Sequence, residues 1–315
     1  MALAAGPVVG GFLTETVGWR AIFLVNVPVA AVSLVLTRRH APATAGLAGR
    51  GVDLPGQVSA IVTLAALTFG LVASAPRGWG STAVVGSLTL AVVAGAAFVA
   101  VERRARPGGR QPMVPPGLVA SPVLRAGLVA GLIVNFGLAG MMFVLSLFLQ
   151  EGRGYSAGAA GLAFLPLTLP TAVNPILTGR LVARVGPRWP AAAGFALMAG
   201  GTSIQAAFTG DATLDQAATV LALLAIGFGV SFGIPSLVTA VMGAVPAELA
   251  GVGGGALNAS RQTGAVLGVA VLGAVFAASS GDPARGTTIA LEVCAGLLAL
   301  GGVVVFLALP GRRSG

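Results

Sequence analysis

At 315 residues, 56% hydrophobic and 9% charged, with a mean hydropathy of +0.95, the chain falls outside the ordinary soluble class, whose members carry about 25% charged residues. Its net charge of +9 comes from eighteen arginines and no lysine, and the arginines sit at the ends of apolar runs. That placement argues against a nucleic-acid surface, which needs its cations on one soluble face.

The missing lysine also excludes a Walker A loop, whose lysine reaches the phosphates. One cysteine, Cys294, allows no intramolecular disulfide. The single histidine, His40, follows Arg38 and Arg39 without any cluster of ligands and reads as a solvated loop residue.

Apolar runs fall at 2–14, 20–37, 55–74, 82–101, 126–149, 159–178, 190–209, 217–242, 253–279 and 288–309. A spanning helix needs about 20 apolar residues, so nine runs qualify and the first is short. This predicts an all-α membrane protein, a polytopic helical bundle of about ten transmembrane helices. Thirteen arginines lie in one set of alternate loops, among them Arg38, Arg104, Arg125, Arg184 and Arg312, against four in the other set. The positive-inside rule then places the first set, and both termini, in the cytoplasm. Trp19, Trp79, Trp189 and Tyr155 fall at span ends, where an aromatic belt forms.

The first forty residues carry Gly6-Pro7-Val8-Val9-Gly10-Gly11, then Gly18-Trp19-Arg20, then Asn26-Val27-Pro28. Gly6 and Gly10 stack one turn apart, and Pro7 removes a backbone donor beside them. In lipid such a small-residue face admits a second helix backbone. The stretch resembles the antiporter motif of the major facilitator superfamily in its fourteen-helix drug:proton antiporter branch. There the motif occupies the fifth helix, so the resemblance implies a partial major facilitator fold, truncated at its N-terminus by four helices.

The same resemblance implies how the rest is organised. Residues 1–40 are then the last two helices of an N-terminal six-helix half, and 41–101 carry two extra linker helices. Residues 102–125 form a basic, proline-rich cytoplasmic loop, and 126–315 a complete C-terminal six-helix half. The segment from Gly179 to Arg188 resembles the superfamily's loop signature between the second and third helices of a half. The signature's aspartate is Ala183 here.

Polar residues in lipid are costly and usually face a bundle interior or a water-filled path. Asn258, Arg261 and Gln262 lie at i, i+3 and i+4 on one helix face, followed by Gly264 and Gly268. The stretch around them resembles the penultimate helix of the fourteen-helix antiporters. Two readings stand for this trio: a helix-packing network with Arg261 snorkelling to the interface, or direct contact with substrate or protons. Asn135 and Asn174 are single amides in apolar runs, and the second shares its run with Pro166, Pro170 and Pro175. Interrupted helices of that kind line sites in transporter halves, or are merely kinked packing helices. The stretch from Leu147 to Pro166 resembles the family's segment joining the first two helices of the second half, which implies that Gln150 sits near the external mouth. Glu292 is the one carboxylate clearly inside a span, about one turn from its external end, and reads as interfacially solvated.

No enzymatic constellation emerges. Gly229 to Gly233 spells an esterase pattern without a preceding strand or a nearby histidine, and Gly251 to Ala256 spells a dinucleotide fingerprint without a βαβ unit. The resemblance implies a non-enzymatic, proton-driven exporter of small lipophilic or cationic compounds, with no cofactor beyond the proton gradient. Its partners would be the lipid bilayer, a small-molecule substrate and the missing N-terminal helices, in the inner membrane of a bacterium. A facilitator for another metabolite, a non-transporting membrane scaffold and an inert gene remnant are the alternatives.

Overall fold

Each apolar run becomes helix in the computed structural model, which describes residues 2–40, 53–104, 116–209, 213–279 and 282–311. The first half holds α1 (Ala2–Thr16), α2 (Arg20–His40), α3 (Leu54–Arg77), α4 (Thr82–Arg103) and the single turn α5 (Pro116–Val119). Helix α6 (Pro122–Leu147) runs into a π-turn at Phe148–Gly152, and α7 (Ala157–Ala163), α8 (Leu165–Val173) and α9 (Pro175–Val185) follow. The chain closes with α10 (Arg188–Ala207), α11 (Thr213–Gly243), α12 (Ala250–Ala278) and α13 (Pro283–Ala308).

Local chemistry sets the boundaries. Asp53 accepts from the Gly56 amide at 2.8 Å and starts α3, with Pro55 in its first turn, where no amide donor is needed. Ser121 with Pro122 starts α6 in the same way. Gly18, at φ +102°, makes the turn that ends α1, a conformation that side chains resist.

The sixth run forms three helices, interrupted at Phe164 and Asn174, in keeping with its prolines. The sequence-based expectation differs from the structure in two places. The arginine-bearing segment after Gly179 is not a loop: most of it is the end of α9, and the turn is confined to Gly186 (φ +82°) and Pro187. Thr178 and Val182 are buried one turn apart while Arg180 and Arg184 are exposed, so the segment is amphipathic at helical spacing. His40 likewise ends α2 rather than lying in a loop, and its ring is exposed 3.2 Å from the Leu36 carbonyl.

Among the described residues, seven helices are long and apolar enough to cross a membrane: α2, α3, α4, α6, α11, α12 and α13. With α1, the interrupted run and α10 between them, the chain is a multi-pass membrane protein and a partial major facilitator fold. Its core lies among α6, α8 and α10 to α13, where Phe195, Met198, Met141, Leu291 and Leu298 are fully enclosed. Helix α3 pairs with α4 and reaches this core through α12. Helix α1 packs on α7 and α8, and α2 packs on α1 with Ala21 as its only buried residue.

Glycine seams bring the core helices together. A Cβ on Gly264 or Gly268 of α12 would strike the Leu132 or Phe136 carbonyl of α6. One on Gly140 would lie 2.6 Å from the Gly268 carbonyl. A second seam joins α10 to α11, where a Cβ on Gly194 would lie 2.6 Å from the Gly229 carbonyl. Contacts this close replace the hydrophobic drive that lipid removes.

Candidate functional site

The α6–α12 seam holds the charged centre of the chain. Arg261 Nε donates to Asn135 Oδ1 at 3.3 Å, and both side chains are half-buried. The Arg261 stem lies across Gly131, where an added Cβ would come within 3.2 Å of its Cγ. One residue earlier, the Ser260 hydroxyl donates to the Leu128 carbonyl at 2.6 Å. Helix α12 begins at Ala250, so Arg261 lies about three turns inside it. A guanidinium at that depth needs both its amide partner and room for its stem.

The trio expected on one face divides. Asn258 and Gln262 are exposed, and Gln262 borders a narrow groove against Leu64, Leu67 and Thr68 of α3. Positions i, i+3 and i+4 span an arc of about 100°, wide enough for α6 to take one edge and α3 the other. Asn135 and Arg261, 126 positions apart in the chain, are brought together instead.

Asn174 is buried at the junction of α8 and α9, and its Nδ2 donates to Thr178 Oγ1 at 3.4 Å. The Thr178 hydroxyl donates in turn to the Ser231 carbonyl of α11 at 3.0 Å. That carbonyl has no intrahelical donor because Pro235 stands four residues on. Thr178 therefore satisfies the backbone group that the α11 proline leaves unmade. Sequence reasoning missed this link, although Pro235 four places after Ser231 signalled a free carbonyl.

Other expected site residues lie apart from these two centres. Glu292 sits more than two turns inside α13, because the helix begins at Pro283, before the apolar run. Its side chain is exposed. Cys294, two residues on, is fully buried and its Sγ donates to the Gly137 carbonyl at 3.7 Å. Gln150 lies in the π-turn and donates to the Ser146 hydroxyl at 2.8 Å.

In α1 the close contact falls on Gly11 and Pro7. A Cβ on Gly11 would lie 2.5 Å from the Ala157 carbonyl, and one on Gly161 of α7 would strike the Pro7 carbonyl. Gly6 and Gly10 face open space. Glu15, which sequence reasoning left aside, bridges the same two helices. Its Oε2 accepts from the Gly158 amide at 3.0 Å and from the Ser156 hydroxyl at 3.3 Å.

Comparison with known proteins agrees with this architecture. The chain matches the Major Facilitator Superfamily over residues 1–269. It is 34% identical over 276 residues to the multidrug resistance protein Stp of Mycobacterium tuberculosis, covering 87% of this chain and 50% of that protein. To the tetracenomycin C resistance and export protein of Streptomyces glaucescens it is 34% identical over 284 residues, covering 89% and 51%. To the methylenomycin A resistance protein of Streptomyces coelicolor it is 33% identical over 312 residues, covering 98% and 64%. The chain thus spans about half to two thirds of the length of these relatives. An all-helical multi-pass bundle sealed by glycine seams, with this match over most of its length, belongs to the Major Facilitator Superfamily.

Proposed function

We propose that the chain forms part of a secondary active exporter, without enzymatic activity of its own. In this reading it uses the proton gradient to expel small lipophilic or cationic compounds across a bacterial inner membrane, with both termini cytoplasmic. The observation that carries the reading is the Arg261–Asn135 pair, a charged group three turns inside a membrane helix and held by a second helix. Ionisable groups at such depth mark substrate or proton pathways by default. The names of the matched relatives, a multidrug resistance protein and a tetracenomycin C resistance and export protein, point the same way.

Expression of the chain together with the missing N-terminal helices, in a drug-sensitive bacterium, tests it. Ethidium should accumulate less in expressing cells, and a protonophore should abolish the difference. Equal accumulation with and without expression would leave the scaffold reading standing. The arginine distribution supports the orientation: Arg38 and Arg39 end α2, Arg103 ends α4, and Arg184 lies in the last turn of α9. Arg50, Arg106, Arg110, Arg312 and Arg313 belong to the same set and lie outside the described residues.

A further inference from the structure

The crevice between α1 and α7 combines apolar walls with a single carboxylate. It encloses about 520 Å³ and is walled by Val8, Val9, Phe12, Ala159 and Leu162, with Glu15 as its only ionisable lining group. That volume lies within the range of small-molecule sites, which are apolar with a few polar groups that fix orientation. Close backbone approach at Gly11 and Gly161 sets the two helices side by side and forms the crevice between them.

Three features select the occupant. Both donors to Glu15 use Oε2, so the carboxylate keeps acceptor capacity on its other oxygen. Arg20, the nearest cation along the chain, is stacked over the Trp19 ring at 4.7 Å. Phe12, strongly exposed, adds an aromatic face beside the carboxylate, and aromatic faces attract cations. Next to apolar walls a carboxylate acts through a lower effective dielectric than water provides.

We propose that this crevice is a binding site for a lipophilic organic cation, with Glu15 as its counter-charge and Phe12 and Leu162 as its apolar clamp. The assignment rests on the reading of the cargo as lipophilic or cationic, and adds a place for it. A phospholipid is the poorer occupant, because its phosphate would lie against the carboxylate.

The test is equilibrium binding to the 315-residue chain in nanodiscs of zwitterionic lipid, with empty discs subtracted and no proton gradient. Tetraphenylphosphonium should bind saturably, and tetraphenylborate, the same shape with opposite charge, should not. Glu15→Gln, which keeps a hydrogen-bond acceptor for Gly158, should weaken phosphonium binding about tenfold, equivalent to ~1.4 kcal/mol. Leu162→Trp, which fills the crevice and leaves the carboxylate in place, should weaken it as well. If Glu15→Gln does not fold, Leu162→Trp and the borate comparison still decide. Equal phosphonium affinity in both variants and the parent, or equal binding of the two ions, would overturn the site. Because no transport is measured, absent efflux in cells would sink the exporter reading and leave this binding result intact.

Discussion

Helices α2 and α12 are both apolar enough to span a membrane, yet they live in different surroundings. Helix α12 lies against α6 along a glycine seam, tied by Ser260 and Arg261. Helix α2 buries only Ala21. Hydropathy therefore says which segments enter lipid but not which of them touch. In lipid a leucine gains nothing by leaving the acyl chains for another helix, so contact is decided by small residues that admit a backbone and by polar groups that need partners.

The sharpest way to break this contrast is to close the seam. Gly268→Leu should force α12 off the Phe136 carbonyl and destabilise the chain by ~1–3 kcal/mol or more. Gly86→Leu on α4, where nothing lies within 4 Å, should change stability by less than ~0.5 kcal/mol. Thermal unfolding of both variants in detergent reads the difference. Equal effects would show that the seam is not what holds the bundle.

Next in size is the polar pair. In a full-length parent that carries the missing N-terminal helices, Arg261→Ala should lower efflux per folded molecule about tenfold, ~1.4 kcal/mol of barrier. Asn135→Ala should act in the same direction, and the double variant should lose little more than Arg261→Ala alone. Unchanged efflux with lower folded yield would make the pair purely structural.

The Thr178 link offers a smaller effect with a definite sign. Thr178→Val should cost about 1 kcal/mol, because the Ser231 carbonyl loses its donor. Pro235→Ala restores a backbone N–H to that carbonyl, so the same Val substitution should cost less in its presence. A double-mutant cycle with no coupling would show that Thr178 does not serve the kink. Smallest of all is Glu292→Gln, on the exposed face of α13. Stability should stay within ~0.5 kcal/mol, with efflux unchanged. A lost proton response in that variant would reverse the ranking of Glu292 below Arg261.

Much of the architecture was legible in the sequence because membrane insertion depends on local properties. Run length and arginine placement act within one helix and its ends. The superfamily was legible from the antiporter-like stretch around Gly6 to Asn26, and Gly264 and Gly268 already carried the spacing of a packing face. What each small or polar residue meets was decided only by the tertiary structure. Gly11 rather than Gly6 or Gly10 takes the close contact, because α7 crosses α1 on that side. Arg261 pairs with Asn135 rather than acting with Asn258 and Gln262, because α6 and α3 approach different edges of α12. Thr178 serves a proline 57 residues away in the chain, and Glu15 reaches across to Gly158. Partners of that kind depend on where a second helix lies, and helical periodicity carries information about one helix at a time.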